Sequence, residues 1–458
     1  MSIINIVYNG LYKFSGILFP LATVTYVSRI LGPEGYGAVA ALLAIIGLLA
    51  NLPTLPLGAY SVARLSKRSG SAQDKLSSTF LVLSFALAAL ATLVYVLFVL
   101  SSDRYFSNHV YLVALICILS SCFSLEWFYQ YKGLYGKLLT RTLIIRCLSL
   151  SSIFIFVHSK EDFEEYAMIM VSMIVLPNIY NLYLFSKTVR FYFSYKFVKN
   201  ILSSHSSNLA KTASIGFFSS LYTLAPIALA GVILSASDFS FVALSERIVR
   251  LFVSLTASVA IVLLPGQLKK FKVFNKDAKN EIIKTINVVS FISLGISLGV
   301  MLFGDNVVLL IAGASFSHAT EYLLEMAILI WFMTISSVLI HQYYYAYNSV
   351  SKLLKIVVLV AAVAVGSTLV LTHTMGNSGY VIAFLLTELL LLILLLAGSS
   401  FDFVKSALLK GGGFTAIIAC FYNMGIFSAN EYLAMFIYSV VFILFLFVFE
   451  LKSILWRR

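Results

Sequence analysis

The sequence predicts an all-α polytopic membrane protein with about 14 transmembrane helices, or 12 on the alternative count. These form two parallel six-helix repeats and a C-terminal pair. Three observations carry this reading. Of 458 residues, 60% are hydrophobic and only 11% charged, and the mean hydropathy is +0.97; soluble domains carry about 25% charged residues. The apolar residues fall in long continuous runs, whereas a β-barrel shows alternating segments of about ten residues. The basic residues crowd onto alternate loops, as the positive-inside rule requires.

The runs fall in order as follows. Span 1 (11–30) ends at Arg29, just before a Gly-Pro turn, and span 2 (36–63) stops at the basic loop that holds Arg64, Lys67 and Arg68. Span 3 (78–100), span 4 (110–130), span 5 (142–157) and span 6 (167–185) complete the first half. Spans 7 to 12 cover 212–234, 240–264, 285–303, 320–341, 356–372 and 379–397. Two weaker runs, 414–428 and 432–449, form the extra pair; the first is short for a span, so an interfacial hairpin is the other reading. The expected domains are therefore a first half over 1–186, a cytoplasmic linker over 187–211, a second half over 212–397 and a hairpin over 398–458. Met1–Asn9 lacks the basic start of a signal peptide, so span 1 is expected to be retained.

Placing the N-terminus in the cytoplasm gives the outer loops only Arg104 and Lys160. Lys13, Arg29, Arg247 and Arg250 fall within spans, and the rest of the 32 Lys and Arg lie in inner loops or the tail, Arg141 and Arg146 among them. Both termini are then cytoplasmic. The same rule accounts for the net charge of +13 without nucleic acid.

A repeat is legible. "ILGPEGYGAVA" (30–40) aligns with "ILSASDFSFVA" (233–243), and "FYQYKGLYGKLL" (128–139) with "YYYAYNSVSKLL" (343–354). The first pair links spans 1 and 7 and the second spans 4 and 10. Six spans per repeat keep both halves in one orientation, with a substrate site between them. Pro20, Pro53, Pro56, Pro177, Pro226 and Pro265 interrupt spans, where kinks are expected.

Charges within spans are costly and mark candidate sites. Arg29, at the outer end of span 1, either faces a polar cavity or snorkels to the interface. Arg247 and Arg250 share one face of span 8, and Arg250 lies roughly 15 Å deep at ~1.5 Å per residue. Glu246 can pair with Arg250, but one Glu cannot neutralise two Arg, which favours an anion-accepting cavity. Glu325 in span 10 and Glu388 in span 12 are read as buried acids. Glu388 is the first candidate for ion coupling, with Glu246 and Glu325 as competitors, since a buried carboxylate can exchange a proton. Static pairing with an arginine is the other reading.

Glu126 is read with Trp127 as an interfacial anchor. Tyr343, Tyr344, Tyr345 and Tyr347 can stack on sugars or form an aromatic belt. Cys117, Cys122, Cys147 and Cys420 sit in apolar runs and read as small buried hydrophobes. There is no Walker A pattern, no HExxH, no GxSxG and no metal spacing of the six His. Neither an enzyme nor a cofactor is expected.

"RILGPEGYGAVA" (29–40) resembles the motif that closes the first helix of Wzx-type polysaccharide transporters, the O-antigen flippases of the multidrug/oligosaccharidyl-lipid/polysaccharide exporter superfamily. "EWFYQYKGLYG" (126–136), "FVALSERIVRLF" (241–252) and "IAGASFSHATEYL" (311–323) resemble further segments of that family. Phe241 stands where a second Tyr is expected, and the chain after Ala397 exceeds twelve helices.

The resemblance implies a flippase in the bacterial inner membrane. It would move undecaprenyl-diphosphate-linked O-antigen, or other polysaccharide repeat units, from the cytoplasmic to the periplasmic leaflet. Its contacts would be the lipid-linked oligosaccharide, membrane lipids, an O-antigen polymerase and a chain-length regulator. Arg29, Arg247 and Arg250 would then line a cationic cavity. A drug antiporter of the same superfamily is the first rival, although cationic drugs call for an acidic cavity. A membrane polymerase or ligase is the second, although such enzymes need a large outer loop.

Overall fold

A computed structural model describes residues 3–55, 58–101, 106–193, 195–270, 273–347 and 350–399. The described residues form thirteen α-helices: α1 Ile3–Asn51, α2 Gly58–Leu65, α3 Gly70–Ser101, α4 Asn108–Ser120, α5 Glu126–Lys132, α6 Tyr135–Phe156, α7 Phe163–Thr188, α8 Tyr195–Ile233, α9 Ala236–Lys270, α10 Lys276–Ala312, α11 Ala319–Met326, α12 Leu329–Val338 and α13 Val350–Ser399. Among these residues, eight stretches are long and apolar enough to cross a membrane, or nine if α11 and α12 with its extension count as one bent span. The protein is thus all-α and multi-pass. The two C-terminal runs and Cys420 lie outside the described residues, as does Pro56.

The Gly-Pro turn divides α1. Gly32 has φ 67°, a left-handed conformation that a side chain disfavours, so it ends one helix and Pro33 opens the next. Gly376, with φ 60°, divides α13 in the same way. A Cβ at Gly379 would fall 1.9 Å from the Leu371 carbonyl oxygen. Those residues would stand about 12 Å apart in a straight helix, so the chain folds back at Gly376. Pro53 sits in the 3-10 turn (Leu52–Thr54) that follows α1. Pro20, Pro177 and Pro226 lie inside α1, α7 and α8, whose only non-helical backbone is at Gly32. One lost backbone bond does not break a helix held by its neighbours.

Spans 4 and 10, each a single apolar run in sequence, are both broken. Span 4 becomes α4, a 3-10 turn (Ser121–Phe123) and α5, and the freed Phe123 carbonyl accepts a bond from Asn181 Nδ2 at 2.8 Å. Span 10 becomes α11 and a second piece bent by 44°, which passes from α12 into a π-helix (Leu339–Tyr345). Ser297 Oγ donates to the Ala327 carbonyl at this break, at 2.8 Å. Apolar continuity does not enforce α-geometry where a neighbouring side chain satisfies the released backbone group.

The chain forms two compact units, Met1–Ser240 with Ile311–Ser315, and Phe241–Leu310 with Phe316–Arg458. Span 7 therefore packs with the first unit. Within α8, which begins at Tyr195 inside the expected linker, Gly231 lies beside Ala41, Ser220 Oγ accepts from Asn51 Nδ2 at 2.7 Å, and Gly216 lies beside Leu55. The register is antiparallel. The start of α9 closes this end: a Cβ at Gly37 would fall 1.8 Å from the Ala236 carbonyl oxygen. Gly37→Ala is expected to cost about 2 kcal/mol through overpacking, read as a lower melting temperature in detergent. An unchanged value would show that the two helix ends separate freely.

Trp127 is not an interfacial anchor. It is buried in a cluster with Leu65, Phe80, Phe128 and Phe185, its ring 6.0 Å from Phe80 and stacked on Tyr131. Cys117 and Cys122 are buried, whereas Cys147 is exposed on α6, because that helix turns it away from its packed face. In the loop before α7, Asp162 accepts the backbone N–H groups of His158 and Ser159 at 2.8 Å each, which hold its carboxyl below the usual range.

Candidate functional site

The second unit gathers a charge cluster on α9 and α13. Glu246 and Arg250 are one helical turn apart, and Arg250 Nε meets Glu246 Oε1 at 2.5 Å. Tyr380 donates its hydroxyl to the other Glu246 oxygen. Tyr380, Phe384 and Glu388 recur every four residues and so share one face of α13. The Arg250 guanidinium lies 5.3 Å from the Phe384 ring centre, a cation–π contact, and Phe384 stacks on Tyr380. Glu246 and Glu388 are buried, Arg247 is half-buried, and Arg250 keeps 35% of its side chain exposed. Glu388 lies within electrostatic reach of both Arg250 and Glu246.

This cluster differs from the sequence reading in one respect. The sequence offers Arg250 one carboxylate on its own helix, Glu246; folding also brings Glu388 into its field, so Arg250 faces two carboxylates. Glu325, read as buried, is exposed on α11, because the break after Met326 ends that short helix and leaves residue 325 on its outer face. Arg29 is exposed, and its stem packs against Gly313 of the same unit. Tyr344 is buried and donates to the Leu395 carbonyl at 2.8 Å, so it is a packing residue; Tyr343 and Tyr347 flank Phe274.

A second cluster, in the first unit, escapes the sequence reading. Arg141 and Arg146, assigned there to an inner loop, both lie within α6. Arg141 Nη1 donates to Asn181 Oδ1, and its guanidinium covers the Tyr129 ring at 5.3 Å. Arg146 Nη1 donates to Ser15 Oγ on α1. Tyr12 donates to Glu126 at 2.6 Å beside them. The available signal was Arg146 itself, which interrupts "LLTRTLIIRCLSLSS" inside span 5.

A cavity of about 620 Å³ opens elsewhere, between α3 and the end of α7, lined by Asp74, Lys187 and Arg190. It touches neither cluster. Among the described residues, no three His, Cys, Asp or Glu side chains meet as metal ligands.

Long apolar helices, glycine-ended hairpins and charge clusters on those helices define a polytopic membrane protein. Residues 3–266, more than half of the chain, match the polysaccharide biosynthesis protein family, and the chain belongs to that family. Its fold is similar to that of the lipid II flippase MurJ in an inward closed conformation, at 15% identity and a TM-score of 0.77, over 100% of this chain and 99% of that one. It is also similar to an inward-facing multidrug resistance MATE family transporter of the MOP superfamily (16% identity, TM-score 0.58, 88% of this chain and 98% of that one). An outward-facing MATE structure gives a TM-score of 0.51 at 16% identity, over 86% and 94% of the two chains. No curated protein sequence matches the chain significantly.

Proposed function

We propose that the protein is a flippase for undecaprenyl-diphosphate-linked O-antigen or other polysaccharide repeat units. It moves them from the cytoplasmic to the periplasmic leaflet of the bacterial inner membrane. The observation that carries this reading is the coincidence of a polysaccharide-pathway family with a transporter fold. A chain that belongs to polysaccharide synthesis and is built of membrane-crossing helices is suited to moving a lipid-linked intermediate. The fuller match to a lipid-linked substrate flippase than to the MATE transporters favours this reading over drug export.

The mechanism is alternating access between two six-helix halves, 1–186 and 212–397, joined by the linker 187–211 and followed by the hairpin 398–458, with both termini cytoplasmic. Two features support the repeat. Spans 4 and 10 are both broken, and the two copies of the turn motif meet where Gly37 approaches Ala236. Arg29, Arg247 and Arg250 belong to the substrate path. Glu388 is the ion-coupling residue, with Glu246 its partner through Arg250. A polymerase and a chain-length regulator take the product on the far side.

The test is complementation. A strain that lacks its own flippase accumulates lipid-linked repeat units inside, and the protein should restore surface polysaccharide. Restored resistance to cationic drugs without restored polysaccharide would make it an antiporter instead.

A further inference from the structure

The two charge clusters differ in their balance. On α9 and α13, Arg250 bonds Glu246 and lies in the field of Glu388. On α6, Arg146 lies in the field of Glu126, and Glu126 is held by Tyr12. Among the described residues, no carboxylate lies within 4.0 Å of either guanidinium.

We propose that Arg146, with Arg141 beside it, is the site in the first unit that receives the phosphate or diphosphate group of the lipid-linked substrate. The inference rests on the flippase reading above and names residues for its anionic end. Arg146 lies eleven residues past the start of α6, about 16 Å along a helix long and apolar enough to cross a membrane. A charge within such a helix is costly and is kept where it has work to do.

The groups that hold the two guanidiniums are neutral. Arg146 leans on a serine hydroxyl, and Arg141 on an asparagine oxygen and the Tyr129 ring. Asn181 is fixed in that orientation, since its Nδ2 donates to the Phe123 carbonyl at 2.8 Å while its Oδ1 also accepts from Tyr129 at 2.7 Å. Neutral acceptors orient a guanidinium without cancelling its charge, whereas a carboxylate partner cancels it. Arg141 Nε is buried without an acceptor, a donor left over. Glu126, bonded to Tyr12 beside them, is an exposed carboxylate, a group that acyl chains do not solvate. Two oriented guanidiniums match the oxygens of a phosphate group, which the planar fork engages in pairs.

The experiment is calorimetric titration of the purified full chain in detergent with farnesyl diphosphate. Arg146→Gln retains a donor for Ser15 but loses the charge, and its affinity should fall by about tenfold or more at an unchanged melting temperature. Arg141→Gln should weaken binding in the same direction. Ser15→Ala should weaken binding by a smaller factor than Arg146→Gln, because it removes the support that orients the guanidinium and leaves the charge. Inorganic pyrophosphate should compete, while farnesol and phosphatidylglycerol should not. If Arg146→Gln does not fold, Arg146→Lys, which keeps the charge without the fork, replaces it and should be weakened by a smaller factor. Wild-type affinity in both glutamine variants overturns this inference and leaves the flippase reading standing. So does equal competition by phosphatidylglycerol, which would make the site a lipid contact. No binding of farnesyl diphosphate by wild type overturns both.

Discussion

Arg250→Ala abolishes the appearance of polysaccharide at the cell surface while the protein still inserts. This is the largest effect expected of any single change. Removing one partner of a buried pair typically costs about 3–5 kcal/mol, because the other charge is stranded. Here the cost lies below that range: Arg250 keeps 35% of its side chain exposed, and Tyr380 continues to serve Glu246. Transport suffers more than folding, since Arg250 is the group that joins Glu246 to Glu388 and faces the exposed side of the cluster. The charge-balanced double variant Glu246→Gln with Arg250→Gln separates the two contributions. It removes both charges and should fold as well as wild type, yet still fail to export. Wild-type surface polysaccharide in the double variant would reduce the pair to a structural bond and remove Arg250 from the substrate path.

Glu388→Gln uncouples transport from an ion gradient. Glu388 is buried on the same face of α13 as Tyr380 and Phe384, within the fields of Arg250 and Glu246. A carboxylate so placed can be balanced in two ways, by the arginine or by a bound cation, and the amide removes both. In vesicles with an imposed proton or sodium gradient, wild type should flip a fluorescent lipid-linked sugar several-fold faster than without it. Glu388→Gln should run at the ungraded rate under either condition. A wild-type rate indifferent to both gradients, or a variant that responds as wild type does, removes Glu388 from the coupling role.

Much of this protein is legible in one dimension. Bilayer thickness sets the length of an apolar run, so composition and run length alone give an all-α multi-pass chain. Gly-Pro at 32–33 marks a helix boundary because a left-handed residue and a missing N–H are properties of those two residues themselves. Arg250 with Glu246 is legible for the same reason, since a spacing of four places both on one helix face.

The remainder depends on partners far apart in sequence. The breaks in spans 4 and 10 require donors from Asn181 and Ser297, which no local pattern announces. The burial of Trp127 depends on Phe80 and Phe185 arriving from other helices. The same applies to the charges. The sequence by itself placed Glu246, Arg247, Arg250 and Glu388 within spans, because hydropathy is a sum over neighbours in the chain, but it left Arg141 and Arg146 in a loop. Only the tertiary structure decided their balance: Glu388 comes to Arg250 from more than a hundred residues away, while Arg146 and Arg141 meet a hydroxyl and an amide in place of a second acid. Charge compensation acts through space, and its range of a few ångströms bears no relation to distance along the chain.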